Sequence, residues 1–278
     1  MWRNLAHLTR YRGLIQSLVA RELKARYRGS ALGAFWSFGN PLLLLLVYSA
    51  VFKYFVPNRA AVQPYALFLF CGLLPWTWFA SSLNESANVL VAGGNLIKKV
   101  LFPAEVLPIV SVLANMVHFL LGLPILGAFL LYYAYFGPGP APDGSAVIPQ
   151  VALHVSELVW LPVVILVQLV LTTGLALFLS ALAVHFRDIR DILSNVLTFW
   201  FFATPIIYHW SSVPELKFWL DLNPVTHLVV SYQEILFHPE NQFGHVWWLL
   251  ALGGASVVVF LAGYWVFDRL RDSLAEVV

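Results

Sequence analysis

Four cations crowd into eight residues: Arg21, Lys24, Arg26 and Arg28 stand directly before the first long apolar run of the chain. A guanidinium presents a planar fork of donors that matches phosphate oxygens two at a time, which an ammonium cannot do. On a helix, Arg21, Lys24 and Arg28 share one face at spacings of three and four. Such a cluster suits anionic lipid phosphates or a cytoplasmic partner. The plainer alternative is that all four only orient the chain in a bilayer. A second charged group, Arg187, Asp188, Arg190 and Asp191, alternates in sign. Asp188 and Asp191 are the nearest approach to a carboxylate pair, but each has an Arg close by, and a charged turn accounts for them.

Other chemistry is missing. No G-x-x-x-x-G-K-[ST] loop occurs, so the chain does not itself hold ATP in the usual phosphate cradle. The eight His residues are scattered, without a His-x-x-x-His pair or a Cys cluster, so no metal is expected. His118 alone lies within an apolar run, where packing against a neighbouring helix explains it. The single Cys71 excludes an internal disulfide and reads as a small core residue.

Aromatic residues make up 15% of the chain. Trp160, Trp210, Trp247 and Trp248 sit at the ends of apolar runs, where aromatic belts form. Trp76 and Trp78 instead fall roughly 16–20 Å into their run at 1.5 Å per residue. Phe199, Trp200, Phe201 and Phe202 occupy the middle of another. Such rings either pack helices or wall a channel. In a channel, Trp76, Trp78, Phe199, Trp200 and Phe202 would offer apolar faces to the CH faces of sugars without gripping them.

The elements that carry these residues follow from composition. Of the 278 residues 60% are hydrophobic and 11% charged, less than half the roughly 25% charge of a soluble domain. Lipid must be part of the solvent. Apolar runs fall near Leu32–Phe55, Tyr65–Val89, Val106–Tyr135, Leu158–Val184, Ile192–Tyr208 and Val246–Phe267. Each approaches the ~20 residues of a span, the fifth being short. Continuous runs exclude a barrel. The fold class is therefore all-α, an integral membrane bundle of six transmembrane helices.

Thirteen of the sixteen Lys and Arg residues fall on one side of this arrangement, leaving only Lys53, Arg59 and Lys217 on the other. The basic side is cytoplasmic, with both termini inside. Residues 1–30 carry no uninterrupted apolar core of a signal peptide. Leu5, Leu8, Tyr11, Ile15, Leu18 and Val19 recur there at helical spacing, which predicts an amphipathic helix in the headgroup plane. Residues 31–208 hold spans one to five, 209–245 an outer region, 246–267 span six and 268–278 a cytoplasmic tail. The stretch 137–149, rich in Pro and Gly, reads as an external loop. The outer region contains two apolar patches, Leu216–Leu222 and Val225–Phe237, split at Asn223–Pro224. They suggest a pair of short re-entrant or interfacial helices. Spans four to six contain no Asp, Glu, Lys or Arg, and Glu85 and Lys53 stand near the ends of spans two and one, so the chain lacks the intramembrane charges that ion coupling needs. If it moves a polar substrate, the energy comes from a partner.

Five segments in order resemble the polysaccharide-exporting permeases of the ABC transmembrane type-2 family, which serve O-antigen, teichoic acid and capsule export. They are RELKARYRGSALGAFW (Arg21 to Trp36), NLIKKVLFPAEVLP (Asn95 to Pro108), FRDIRDI (Phe186 to Ile192), PIIY (Pro205 to Tyr208) and LNP (Leu222 to Pro224). SFGNPL (Ser37 to Leu42) departs slightly, where relatives often carry a Gln before the Pro. The resemblance implies a single transmembrane domain over 1–278 in a bacterial inner membrane. It implies a second copy of the chain and two ATP-binding cassette subunits, which would hold ATP and Mg; this chain would carry no cofactor of its own and bind no nucleic acid. It also implies a glycan on a polyprenyl diphosphate as cargo, and outer gate helices. Arg21, Lys24, Arg26 and Arg28 would meet the diphosphate. Asn95, Leu96, Ile97, Lys98, Lys99, Phe102, Pro103 and Glu105 would couple to the ATPase. A permease of this type for a drug or lipid is the nearest alternative; a membrane enzyme acting on lipid-linked sugars would need a carboxylate or His/Asp cluster that the sequence lacks.

Overall fold

The computed structural model describes residues 11–26, 28–29, 35–54, 64–93, 103–136, 156–186, 188–237 and 243–277. Regular structure among them is helical throughout: α1 (Arg12–Arg26), α2 (Trp36–Tyr54), α3 (Tyr65–Ala92), α4 (Val106–Phe136), α5 (Leu161–His185), α6 (Ile189–Phe202), α7 (Lys217–Leu222), α8 (Pro224–Leu236) and α9 (Val246–Val277). Among the described residues four helices are long and apolar enough to cross a membrane: α3, α4, α5 with the 3-10 turn before it, and α9. The apolar stretch of α2 is shorter, Phe38–Val51. The loop 137–149 lies outside the described residues, as does most of the coupling segment.

The fifth apolar run does not continue as a helix to Tyr208. α6 has 14 residues, about 21 Å at 1.5 Å per residue against a hydrocarbon core of about 30 Å. Turns follow from Ala203 to Tyr208. Pro205 is the reason: it has no N–H to continue the ladder, its ring clashes one turn back, and it drives Thr204 away from helical dihedrals. α1 likewise stops at Arg26, with Gly29 at φ 82° just beyond. Arg28 therefore does not share a helical face with Arg21 and Lys24.

α3 is the centre of the bundle, with α2, α4, α5, α6 and α8 all packed on it. Its ring Trp78 stacks on Phe119 of α4 with centroids 5.1 Å apart, and its indole donates to the Val112 carbonyl at 3.1 Å. Gln168 of α5 donates to the Pro75 carbonyl at 2.8 Å, tying α5 to the same helix. α5 and α9 cross most closely. A Cβ on Gly263 would lie 2.1 Å from the Gly174 carbonyl oxygen, so only glycine fits there. Small residues that let backbones meet are how helices associate where water supplies no hydrophobic drive.

α1 uses its apolar stripe against protein. Leu18 is buried with Val106 and Val110 of α4, flanked by Leu14, Ile15 and Val19. The two predicted outer helices form, but differ in kind. α7 is exposed at Phe218, Trp219 and Leu222. α8 is enclosed: Val225 to Gln233, Ile235 and Leu236 are all buried against α3, α5 and α9. A surface helix would bury one stripe only.

Candidate functional site

α1 ends where the site begins. Its last residue, Arg26, is carried along α4 by the Leu18 contact until its guanidinium reaches Glu85 of α3 and Asn115 of α4. Nη2 donates to Glu85 Oε2 at 2.5 Å and Nη1 to Asn115 Oδ1 at 3.0 Å. The Asn115 amide donates to the same Glu85 Oε2 at 2.7 Å. Glu22, one turn back on α1, lies 3.7 Å from the guanidinium. A half-buried charge cluster results in which one carboxylate oxygen accepts from two donors.

Beside it a groove of about 530 Å³ opens between α2, α3 and α4. Arg26, Ser81 and Asn115 line one end; Asn40, Leu44 and Tyr48 line it from α2; Leu74 and Phe70 continue it along α3. From Ser81 to Phe70 the α3 wall runs about 16 Å. Of the four predicted cations, Arg26 alone lines this groove. Arg21, Lys24 and Arg28 are exposed.

The five predicted aromatics fall into three places. Trp78 belongs to the α3–α4 packing and lines the groove. Trp76, 7% exposed, meets Phe79 and Phe201 at 5.7 Å each, and Phe79 in turn meets Trp200 edge-on at 5.4 Å. Phe199 and Phe202 are 75% and 58% exposed. With Trp200, Trp219 and Leu220 they line a second, open cavity of about 550 Å³ between α6 and α7. The five rings are thus not one continuous wall within a single chain.

Asn223 holds this second region together. Its Oδ1 accepts from the Trp200 indole at 2.8 Å and from the Val225 amide at 3.1 Å, capping α8. Its Nδ2 donates to the Ala203 carbonyl at 3.2 Å and to Thr204 Oγ1 at 3.1 Å. The break after α6 is pinned twice more, by Gln233 donating to the Pro205 carbonyl at 3.0 Å and Tyr65 to the Ile207 carbonyl at 2.5 Å. In the sequence, Asn223 stood out only as an amide before a proline within LNP; its link to Trp200, 23 residues away, depends on the tertiary fold. Asn115, a lone amide in the apolar run VLANMVHFL, carried a similar signal and was passed over.

On the far side of the bundle Pro103 and Glu105 lead into α4. Glu105 is 5% exposed; its Oε1 lies 3.9 Å from Arg271 on α9, while Oε2 has no hydrogen-bond partner. Asn95, Leu96, Ile97, Lys98, Lys99 and Phe102 lie outside the described residues, as does Arg187. Asp188, Arg190 and Asp191 lie at the start of α6. Both carboxylates sit where the amide dipoles of that helix favour negative charge.

The sequence matches the family described as ABC-2 type transporter over residues 13–237. It is 40% identical, over 99% of both chains, to a Myxococcus xanthus protein named O-antigen export system permease protein RfbA. A Klebsiella pneumoniae protein of the same name is 31% identical over 95% of each chain. The polysialic acid transport protein KpsM of Escherichia coli is 20% identical over 77% of this chain and 78% of that one. The family match runs from α1 to the end of α8, through the helices that build both cavities, and the likeness to a permease extends over the full length: this chain belongs to the ABC-2 type transporter membrane family.

Proposed function

We propose that this chain is the membrane permease of an exporter that carries an O-antigen-like polysaccharide, linked to polyprenyl diphosphate, from the cytoplasm across the bacterial inner membrane. ATP hydrolysis belongs to a separate cassette subunit. The observation that carries this reading is the 40% identity, over 99% of both chains, to a protein named as an O-antigen export permease. The likeness reaches both cavities.

In this reading α2, α3, α4, α5, α6 and α9 cross the bilayer and both termini are cytoplasmic, as the Lys and Arg distribution supports. Two copies of the chain and two ATPase subunits make the exporter. The exposed apolar faces of α2 (Leu43, Leu46, Val47) and α6 (Val196, Phe199, Phe202) support a neighbour of either lipid or protein there. α7 and α8 act as outer gate helices; the burial of α8 supports a re-entrant rather than an interfacial position. Phe199, Trp200 and Phe202, open to the second cavity, wall the glycan path with their counterparts in the other copy, and Trp76 stiffens it from behind through Phe201. The cations of α1 face the diphosphate. Residues 95–105 meet the ATPase, and residues 187–191 form the short cytoplasmic turn between α5 and α6.

The test is a strain lacking this gene. Lipid-linked glycan should accumulate on the cytoplasmic side, and re-expression of the chain together with its cassette subunit should restore surface polysaccharide. Normal surface polysaccharide in the deletion strain, or restoration with a cassette subunit unable to hydrolyse ATP, would overturn the reading.

A further inference from the structure

Glu85 Oε2 stands where two donors converge, the Arg26 guanidinium at 2.5 Å and the Asn115 amide at 2.7 Å. The donors are also fixed to each other through Arg26 Nη1 and Asn115 Oδ1 at 3.0 Å. Two donors preset on one oxygen form an anion site, and in this structure the protein's own carboxylate fills it. The side chains of Arg26 and Glu85 remain 24% and 37% exposed, so the pair is reachable and the carboxylate is not locked in by packing.

The surroundings specify more than an anion. From Ser81 the groove leads away between α2, α3 and α4 past Leu44, Leu73, Leu74, Phe119 and Phe70. Its α3 wall is about 16 Å long. Thr77, Ser81, Asn40, Tyr48 and His118 add a few polar groups, and among the described residues no Asp or Glu lines it. A ligand that satisfies both parts has a phosphate at one end and an apolar chain at the other. One narrow slot between three helices suits one chain, whereas a glycerophospholipid brings two.

We propose that Arg26 and Asn115 bind a phosphate of a polyprenyl diphosphate lipid, with the first part of the chain in the groove, and that Glu85 is the resident counter-ion which that phosphate displaces. The proposal rests on the export reading for the identity of the lipid. It adds a defined site inside one copy of the chain and an exchange step. While the site is empty, Glu85 neutralises Arg26 and holds α1 against α3 and α4. When phosphate arrives, Glu85 gives up both donors. The arriving phosphate then neutralises Arg26 in place of Glu85, and Glu22, 3.7 Å from the same guanidinium, is a second carboxylate that competes with it.

Exchange makes a prediction that a plain structural ion pair does not. Glu85→Gln keeps shape and hydrogen bonding but removes the competing charge, so it should bind the lipid several-fold more tightly. Arg26→Gln should weaken binding about tenfold or more, the loss of one charge-assisted hydrogen bond. Arg26→Lys, which keeps charge and most packing, should fall between.

The experiment uses the full chain in phosphatidylcholine nanodiscs, titrated with undecaprenyl diphosphate and followed by native mass spectrometry, with a thermal midpoint for every variant. Phosphatidylglycerol and inorganic diphosphate are separate arms, and Arg12→Gln on the exposed side of α1 is the control. Tighter binding by Glu85→Gln, weaker binding by both Arg26 variants and no change in the control support the site. Parallel weakening by Glu85→Gln and Arg26→Gln would reduce the pair to a clasp for α1 and overturn the proposal. So would phosphatidylglycerol binding with the same variant dependence, or inorganic diphosphate competing as well as the lipid. If Arg26→Gln binds and exports like wild type, this site falls while the export reading stands. A deletion strain with normal surface polysaccharide removes the export reading instead, whatever the nanodiscs show.

Discussion

Asn223 uses each capacity of its side-chain amide, accepting twice and donating twice across the break between α6 and α8. Asn223→Ala leaves the Trp200 indole and the Val225 amide without that acceptor, and an orphaned buried donor costs about 1–3 kcal/mol. The thermal midpoint in detergent should fall clearly. Asn223→Asp should recover part of the loss, because it restores both acceptor contacts and not the donations. An unchanged midpoint in the Ala variant would mean that water replaces the amide without cost. At this scale the sequence was legible where charge stood out and less so where amides did. Arg26 announced itself by its neighbours and by Arg chemistry. That it pairs with Glu85 and Asn115, 59 and 89 residues away, depends on how α1, α3 and α4 lie together, which spacing along one chain does not encode.

The helices themselves were readable from apolar runs, and their failures have identifiable causes. The run Ile192–Tyr208 looked continuous because Pro205 is flanked by apolar residues; backbone chemistry, not hydropathy, ended α6 at Phe202. For α8 the sequence left re-entrant and interfacial positions open, because the run is too short to cross a bilayer. Its neighbours bury it, a tertiary effect that hydropathy does not report. The same contrast predicts how the aromatics behave. Trp76→Ala should cost about 3–5 kcal/mol, the loss of a large buried ring, read as a lower thermal midpoint and less folded protein. Phe199→Ala, at an exposed ring, should stay within about 0.5 kcal/mol of wild type and slow export of glycan in cells. A drop in export for Phe199→Ala that only follows a drop in folded protein would assign that ring to packing. Gly263→Leu should separate α5 from α9, since even a Cβ would meet the Gly174 carbonyl at 2.1 Å. Its expected signature is a destabilised chain, measured by loss of the monodisperse peak in size exclusion.

The exposed apolar face of α6 is left for lipid or a second copy. Val196→Cys offers a direct measurement: Cys71, the one native thiol, is fully buried, so an oxidative cross-link in membranes would report the new thiol alone. A dimeric band is expected, and its absence at Val196, Phe199 and Phe202 alike would place the partner elsewhere. Phe102→Asp in the coupling segment should abolish export while leaving the chain folded; ATPase binding and export at wild-type levels would detach that segment from coupling.

The close crossing at Gly174 and Gly263 has a mechanical side. α9 has 32 residues, a rod about 48 Å long by the helical rise, against about 30 Å of hydrocarbon. Its tight contact with α5 falls about 26 Å from the Val246 end and about 21 Å from the Val277 end. α9 lies along α5 over much of its length, and the backbones touch at this crossing. A sideways push where Arg271 meets Glu105, about 12 Å from that crossing, would swing the Val246 end the opposite way through about twice the arc. That far end carries Trp248, stacked on His227 of α8 with ring centroids 4.4 Å apart. A tilt of α9 about its glycine crossing would therefore move both faces of the molecule together.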